Sequence, residues 1–150
     1  MVNFESASVS STQFIIPTKT TATSSWSPWT HDIDLNVPDG YVISKVHFTF
    51  DAKDQGWGGS NQNATIKLNN TLVGRARLTH NYQSFDIEKT GNFPDFNYNG
   101  TNTLKFFFIG WPGWSSTTKN GILTVYYSQV ALETNDFFMT IEGGTATLDS

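Results

Sequence analysis

The sequence predicts an all-β protein: an antiparallel β-sandwich of jelly-roll type with about eight or nine strands. Three observations carry that expectation. Period-two alternation of apolar and polar residues recurs along the chain, as in YVISKVHFTFD at residues 41–51. No window of helical length carries apolar residues at the i, i+3, i+4, i+7 spacing. Turn signals separate the alternating runs: VPDG at residues 37–40, then Asn69-Asn70, then Asn99-Gly100.

The elements follow in chain order. Residues 12–16 form the first expected strand, and residues 31–37 turn Ile33, Leu35 and Val37 inward. Within residues 41–51, strict alternation puts Val42, Val46, Phe48 and Phe50 on one face and Ile43, Lys45, His47 and Thr49 on the other. Residues 64–68 and 71–78 flank Asn69-Asn70, expected as a two-residue hairpin turn because Asn tolerates positive φ. Residues 83–88 place Phe85 and Ile87 together. Two dense apolar strands follow, TLKFFFI at residues 103–109 and ILTVYYSQV at residues 122–130. Residues 137–141 are expected to add a last edge strand before a fraying end. No composition shift, repeat or low-complexity tract divides the chain. Residues 1–150 therefore read as one domain, with its core at about 12–141.

Composition excludes several classes of function. Hydrophobic residues make up 37%, aromatics 15% and charged residues only 15%, the opposite of a disordered chain. The net charge is −4 with no basic stripe, which argues against a nucleic-acid partner. No run approaches the ~18 apolar residues of a membrane span. The absence of Cys removes both a disulfide framework and a thiolate site. Residues 1–11 are polar, with no basic segment leading into an apolar one, so the expectation is a cytoplasmic chain or one released without a recognisable signal. Sequons at Asn63, Asn69 and Asn99 are what chance supplies in a chain rich in Asn and Thr.

The five tryptophans are the informative feature. Trp26 and Trp29 lie in SSWSPWT, Trp57 in KDQGWGGS, and Trp111 and Trp114 in GWPGWSS. If successive strands run antiparallel, the segments carrying them all fall at one end of the sandwich. An aromatic cluster on loops held by a rigid scaffold is a common form of binding site. Its chemistry suits a sugar: a Trp face meets the C–H patch of a pyranose, and polar side chains meet the hydroxyl rim. The expected carbohydrate-binding residues are Asp54, Gln55, Trp57, Gly58, Asn61, Trp111, Trp114 and Asn120, with Trp26, Trp29, His80 and Lys119 as additions. The competing interpretation is that each Trp folds inward as a plug over the end of the core.

The motifs DQGW and GWPGW, with the strand GILTVYY, resemble lectin-like jelly-roll domains of the galactose-binding-like type. The similarity is to F-box-associated glycan-binding domains and to slime-mould and fungal jelly-roll lectins. It implies a glycan site at the aromatic loop, here Gly110, Trp111, Pro112, Gly113 and Trp114.

Other constellations are weaker. Asp51 and Asp54, with Asn61 and Asn63 nearby, offer oxygens to a calcium ion; the alternative is that Asp54 caps its own loop. No cofactor other than calcium is suggested. His31, His47 and His80 form no zinc motif. No nucleophile elbow is present, and the acids do not face one another as a glycosidase needs. The expected function is that of a non-catalytic lectin whose partners are glycans or glycoproteins. Oligomerisation would raise avidity and allow agglutination. The alternative is a structural, assembly or toxin-module protein with an aromatic end that contacts protein or lipid, and a glycosidase ranks third.

Overall fold

A computed structural model describes residues 9–22, 28–55, 62–108 and 115–130. They form nine strands: β1 (Val9–Ile16), β2 (Lys19–Ala22), β3 (Trp29–Asn36), β4 (Tyr41–Asp54), β5 (Gln62–Leu68), β6 (Thr71–Leu78), β7 (Gln83–Thr90), β8 (Asn99–Phe108) and β9 (Ser115–Gln129). No helix occurs among the described residues. The edge strand expected at residues 137–141 lies outside them.

All pairings are antiparallel and build two sheets. One has the order β1-β9-β4-β7, with β2 continuing the line of β1 along β9, and the other has the order β3-β8-β5-β6. Successive strands from β2 to β5 swap sheets, as a jelly roll requires. The expected fold class is therefore the observed one.

Alternation explains the core. Phe48, Phe50, Leu123 and Val125 point inward from one sheet; Ile66, Leu68, Leu104 and Phe106 meet them from the other. Phe50 is the hub. It stacks on Phe48 and Phe85 at centroid distances of 4.5 and 5.2 Å and meets Phe106 edge-on at 6.0 Å. Each such aromatic pair contributes about 0.5–1.5 kcal/mol beyond the area it buries. Ile33, Leu35 and Val37 are buried as the pattern predicts. Asn69 has φ of 53° in the β5–β6 turn, the left-handed conformation expected of Asn there.

Two bulges break the alternation, and both matter. Ile43 pairs with Tyr127 and Lys45 with Tyr126, so Ser44 is an extra residue on β4. Side-chain parity flips there: Ile43 is 3% exposed and Val42 44%. The sequence-based assignment of Val42 inward and Ile43 outward is thus reversed. Further along, Thr49 pairs with Ile122 and Asp51 with Lys119, which leaves an extra residue on β9. Asn120 absorbs it at φ of 55°. Gly121 follows where a Cβ would lie 2.9 Å from Ile16 Cβ, so close packing requires glycine.

Candidate functional site

Tracing the strands shows which chain segments share an end. β2 and β4 run upward to Ala22 and Asp54, β8 runs upward to Phe108, and β9 starts downward from Ser115. The segments at residues 23–27, 56–61 and 109–114 therefore all connect strands at the upper end. They carry Trp26, Trp57, Trp111 and Trp114, together with Gly58 and Asn61. Those six residues lie outside the described residues.

Their anchor points are in direct contact. The Gln55 backbone N–H donates to the Ser115 carbonyl at 2.7 Å, and the Ser115 hydroxyl donates to Gln55 Oε1 at 3.2 Å. Ser115 is also the strand partner of Ala22. Ala22, Gln55 and Ser115 thus form one junction, and a Trp-bearing segment leaves from each of them. A pair of hydrogen bonds and a strand register hold the junction, each bond contributing about 1 kcal/mol.

Trp29 takes a different place. It opens β3, is 7% exposed, and stacks on its strand partner Phe106 with ring centroids 5.3 Å apart and planes 5° apart. It is a core residue, which corrects its expected addition to the binding set. The apolar-in parity of β3, shared with Ile33 and Leu35, is the physical reason.

Asp54 is also turned inward. It is 1% exposed and continues the inward row of Phe48, Phe50 and Ala52. His80 Nε2 lies 3.2 Å from its Oδ1 but off the line of a hydrogen bond, and neither carboxylate oxygen has a hydrogen-bond partner. The Asp54 backbone N–H donates to the Thr79 carbonyl at 2.8 Å, tying the β6–β7 connection to the end of β4. Asp54 therefore lies buried at the upper end of β4, where it offers no exposed face to a hydroxyl; this corrects its expected role as a direct contact. Trp29 Nε1 and Thr118 Oγ1 are likewise buried without hydrogen-bond partners.

Asp51 faces the other way. Its Oδ2 accepts from Asn120 Nδ2 at 2.8 Å and its Oδ1 from the Ser84 hydroxyl at 2.7 Å. The Asn120 bond first, then the Ser84 bond, hold this carboxyl below its ordinary pKa; partial burial opposes them and the Lys119 charge adds to them. Asp51 and Asp54 stand on opposite faces of β4. They do not converge on one ion, and calcium needs six to eight oxygens around it. The calcium pairing is therefore corrected. Among the described residues no group of three acidic, His or Cys side chains gathers for a metal.

The β9 bulge sets the rest of the surface. Leu123, Val125 and Tyr127 alternate inward, and unbroken alternation would carry Lys119 into the core. The extra residue flips parity. Thr118 and Ser116 are buried instead, while Lys119 reaches the outer face with its Nζ 3.9 Å from the centroid of the Tyr82 ring. Lys53 Nζ lies over the same ring at 4.7 Å. The structure thus brings Asn120 and Lys119 of the expected set to Asp51, while Gln55 lies further up at Ser115. Sequence reasoning missed Tyr82, Lys53 and Ser84. Lys53 was legible as the outward neighbour of Asp51 in β4; Tyr82 was not, because its place depends on the β6–β7 connection.

No family model matches the chain, and no curated protein matches it. Among solved structures it is similar to part of the dimeric latent PorU of Porphyromonas gingivalis, at 6% identity and a TM-score of 0.60. That alignment covers 82% of this chain and 13% of PorU, and it shows the sandwich fold alone. Fainter likenesses are to a structure described as CBM4, at 17% identity and a TM-score of 0.47 over 79% of this chain and 77% of that one, and to the EclA C-terminal domain, described as a sugar-binding protein, at 8% identity and a TM-score of 0.46 over 81% of this chain and 82% of that one.

Proposed function

We propose that the chain is a non-catalytic carbohydrate-binding protein whose glycan site lies at the upper end of the sandwich. The observation that supports this reading best is the Ala22–Gln55–Ser115 junction. Three segments far apart in sequence start from one spot, and their sequences include four tryptophans. Trp57, Trp111 and Trp114 supply stacking faces for pyranose rings, and Gln55, Asn61 and Asn120 supply hydroxyl partners. Asp54 braces the end from below. The nearest carboxylates on β4 diverge, which suits a binder better than a hydrolase with its two opposed carboxyls. Affinity at one such site is weak, so a multivalent form would be the one that agglutinates cells.

A glycan array tests the reading. Wild-type protein is expected to bind a coherent class of glycans. The variant with Trp57, Trp111 and Trp114 replaced by Ala is expected to lose that binding with an unchanged melting curve. Undiminished binding by this variant would overturn the placement of the site. A blank array for a folded, multimerised protein would favour an assembly role instead.

A further inference from the structure

We infer that Lys53, Tyr82 and Lys119 form a subsite for an anionic group on the glycan, the carboxylate of a uronic-acid residue or a sulfate ester; this rests on the glycan-binding reading above. Two ammonium groups converge on one aromatic ring, at 4.7 and 3.9 Å from its centroid. The ring quadrupole attracts each cation, but the two cations repel each other. Among the described residues neither lysine has a carboxylate within ion-pair distance; the ion pairs there are Lys45 with Glu88, His47 with Asp86 and His80 with Asp54. Asp51 is the neighbouring anion along β4 and β9; its hydrogen bonds come from the neutral Asn120 and Ser84, so its one charge faces Lys119 and leaves the second lysine unbalanced.

The two lysines against the single Asp51 carboxylate therefore leave a local excess of one positive charge on a chain of net charge −4. The cluster is also built, since Lys119 reaches the outer face through the Asn120 bulge. An anion that meets both ammoniums makes two charge-assisted contacts and offsets their repulsion. Tyr82 is 38% exposed and offers the edge of a stacking surface beside them. Lys53 lies just before Gln55, and Lys119 lies on the strand that begins at Ser115. The charged group thus borders the junction from which the Trp-bearing segments depart. A neutral sugar would occupy the aromatic site, with its acidic substituent or acidic neighbour on the lysines.

The test is a glycan array printed with neutral, uronate-bearing and sulfated oligosaccharides, followed by titration of the best ligand. Wild type is expected to favour acidic over neutral members by about tenfold, with a preference that shrinks as salt is added. In the double variant Lys53→Gln/Lys119→Gln this preference is expected to fall to about twofold or less, with the melting temperature kept. Whether uronate or sulfate ranks first identifies the source of the anion. Equal binding of neutral and acidic glycans by wild type would overturn the subsite and leave the glycan reading standing. A charge preference that survives in the double variant would overturn its location. A blank array would overturn both.

Discussion

The Asn120 side chain reaches across the β4–β9 pair and donates to Asp51 Oδ2 at 2.8 Å, from a residue whose φ is 55°. One position therefore does two jobs. Its left-handed backbone admits the extra residue of the bulge, and its amide holds the carboxylate that the bulge brings opposite. Gly does the first job without the second; Ala does neither well, at a strain of roughly 1 kcal/mol.

The pH dependence follows from this bond. Asp51 titrates lower in the folded chain than in the unfolded one, because Asn120 and then Ser84 hydrogen-bond its anion. A carboxyl depressed by folding contributes stability above its unfolded pKa and loses it as pH falls through the folded value. Acid, not base, is expected to remove the contribution. NMR titration of the Asp51 carboxyl should show its midpoint rising toward the ordinary value in Asn120→Gly. An unmoved midpoint would mean that the bond does not persist in solution.

Trp29 is expected to behave as core. Its ring is buried against Phe106, so Trp29→Ala should destabilise the fold by about 3–5 kcal/mol in urea melts. Ala at Trp57, Trp111 or Trp114 is expected to shift the same midpoint far less. If Trp29→Ala melts like wild type, the stacking is not a structural contact.

Asp54 gives the opposite expectation. A buried carboxylate with no hydrogen-bond partner costs stability, which proteins tolerate mainly at functional sites. Asp54→Asn keeps the shape and removes the charge. The melting temperature is expected to rise by about 2–4 °C, equivalent to about 1 kcal/mol. A large fall would show that the ion pair with His80 outweighs desolvation.

At the lower end a buried amide is fully satisfied. Asn102 is 1% exposed; its Nδ2 donates to the Asn97 and Gly100 carbonyls, and its Oδ1 accepts from the Asn97 backbone and the Asn69 side chain. Asn102→Ala strands several of these groups and is expected to cost about 3 kcal/mol by chemical denaturation. A cost under about 1 kcal/mol would mean that water replaces the amide. The same network consumes both ends of the Asn69 side chain, whose Oδ1 accepts from the Thr103 N–H. That sequon position serves the β5–β6 turn.

By itself the sequence determined eight of the nine described strands, missing β2, and most of their inward rows. Alternation in residues 31–37 and 41–51, and turn residues such as Asn69, are local signals, and antiparallel connection turns them into a map of the two ends. Only the tertiary structure decided what alternation cannot express. The extra residues at Ser44 and Asn120 reverse parity, burying Ile43 instead of Val42 and turning Lys119 out toward Tyr82. It also stacked Trp29 in the core and set Asp51 and Asp54 on opposite faces of one strand. A bulge depends on the register between two strands far apart in the chain, so no single run of residues records it.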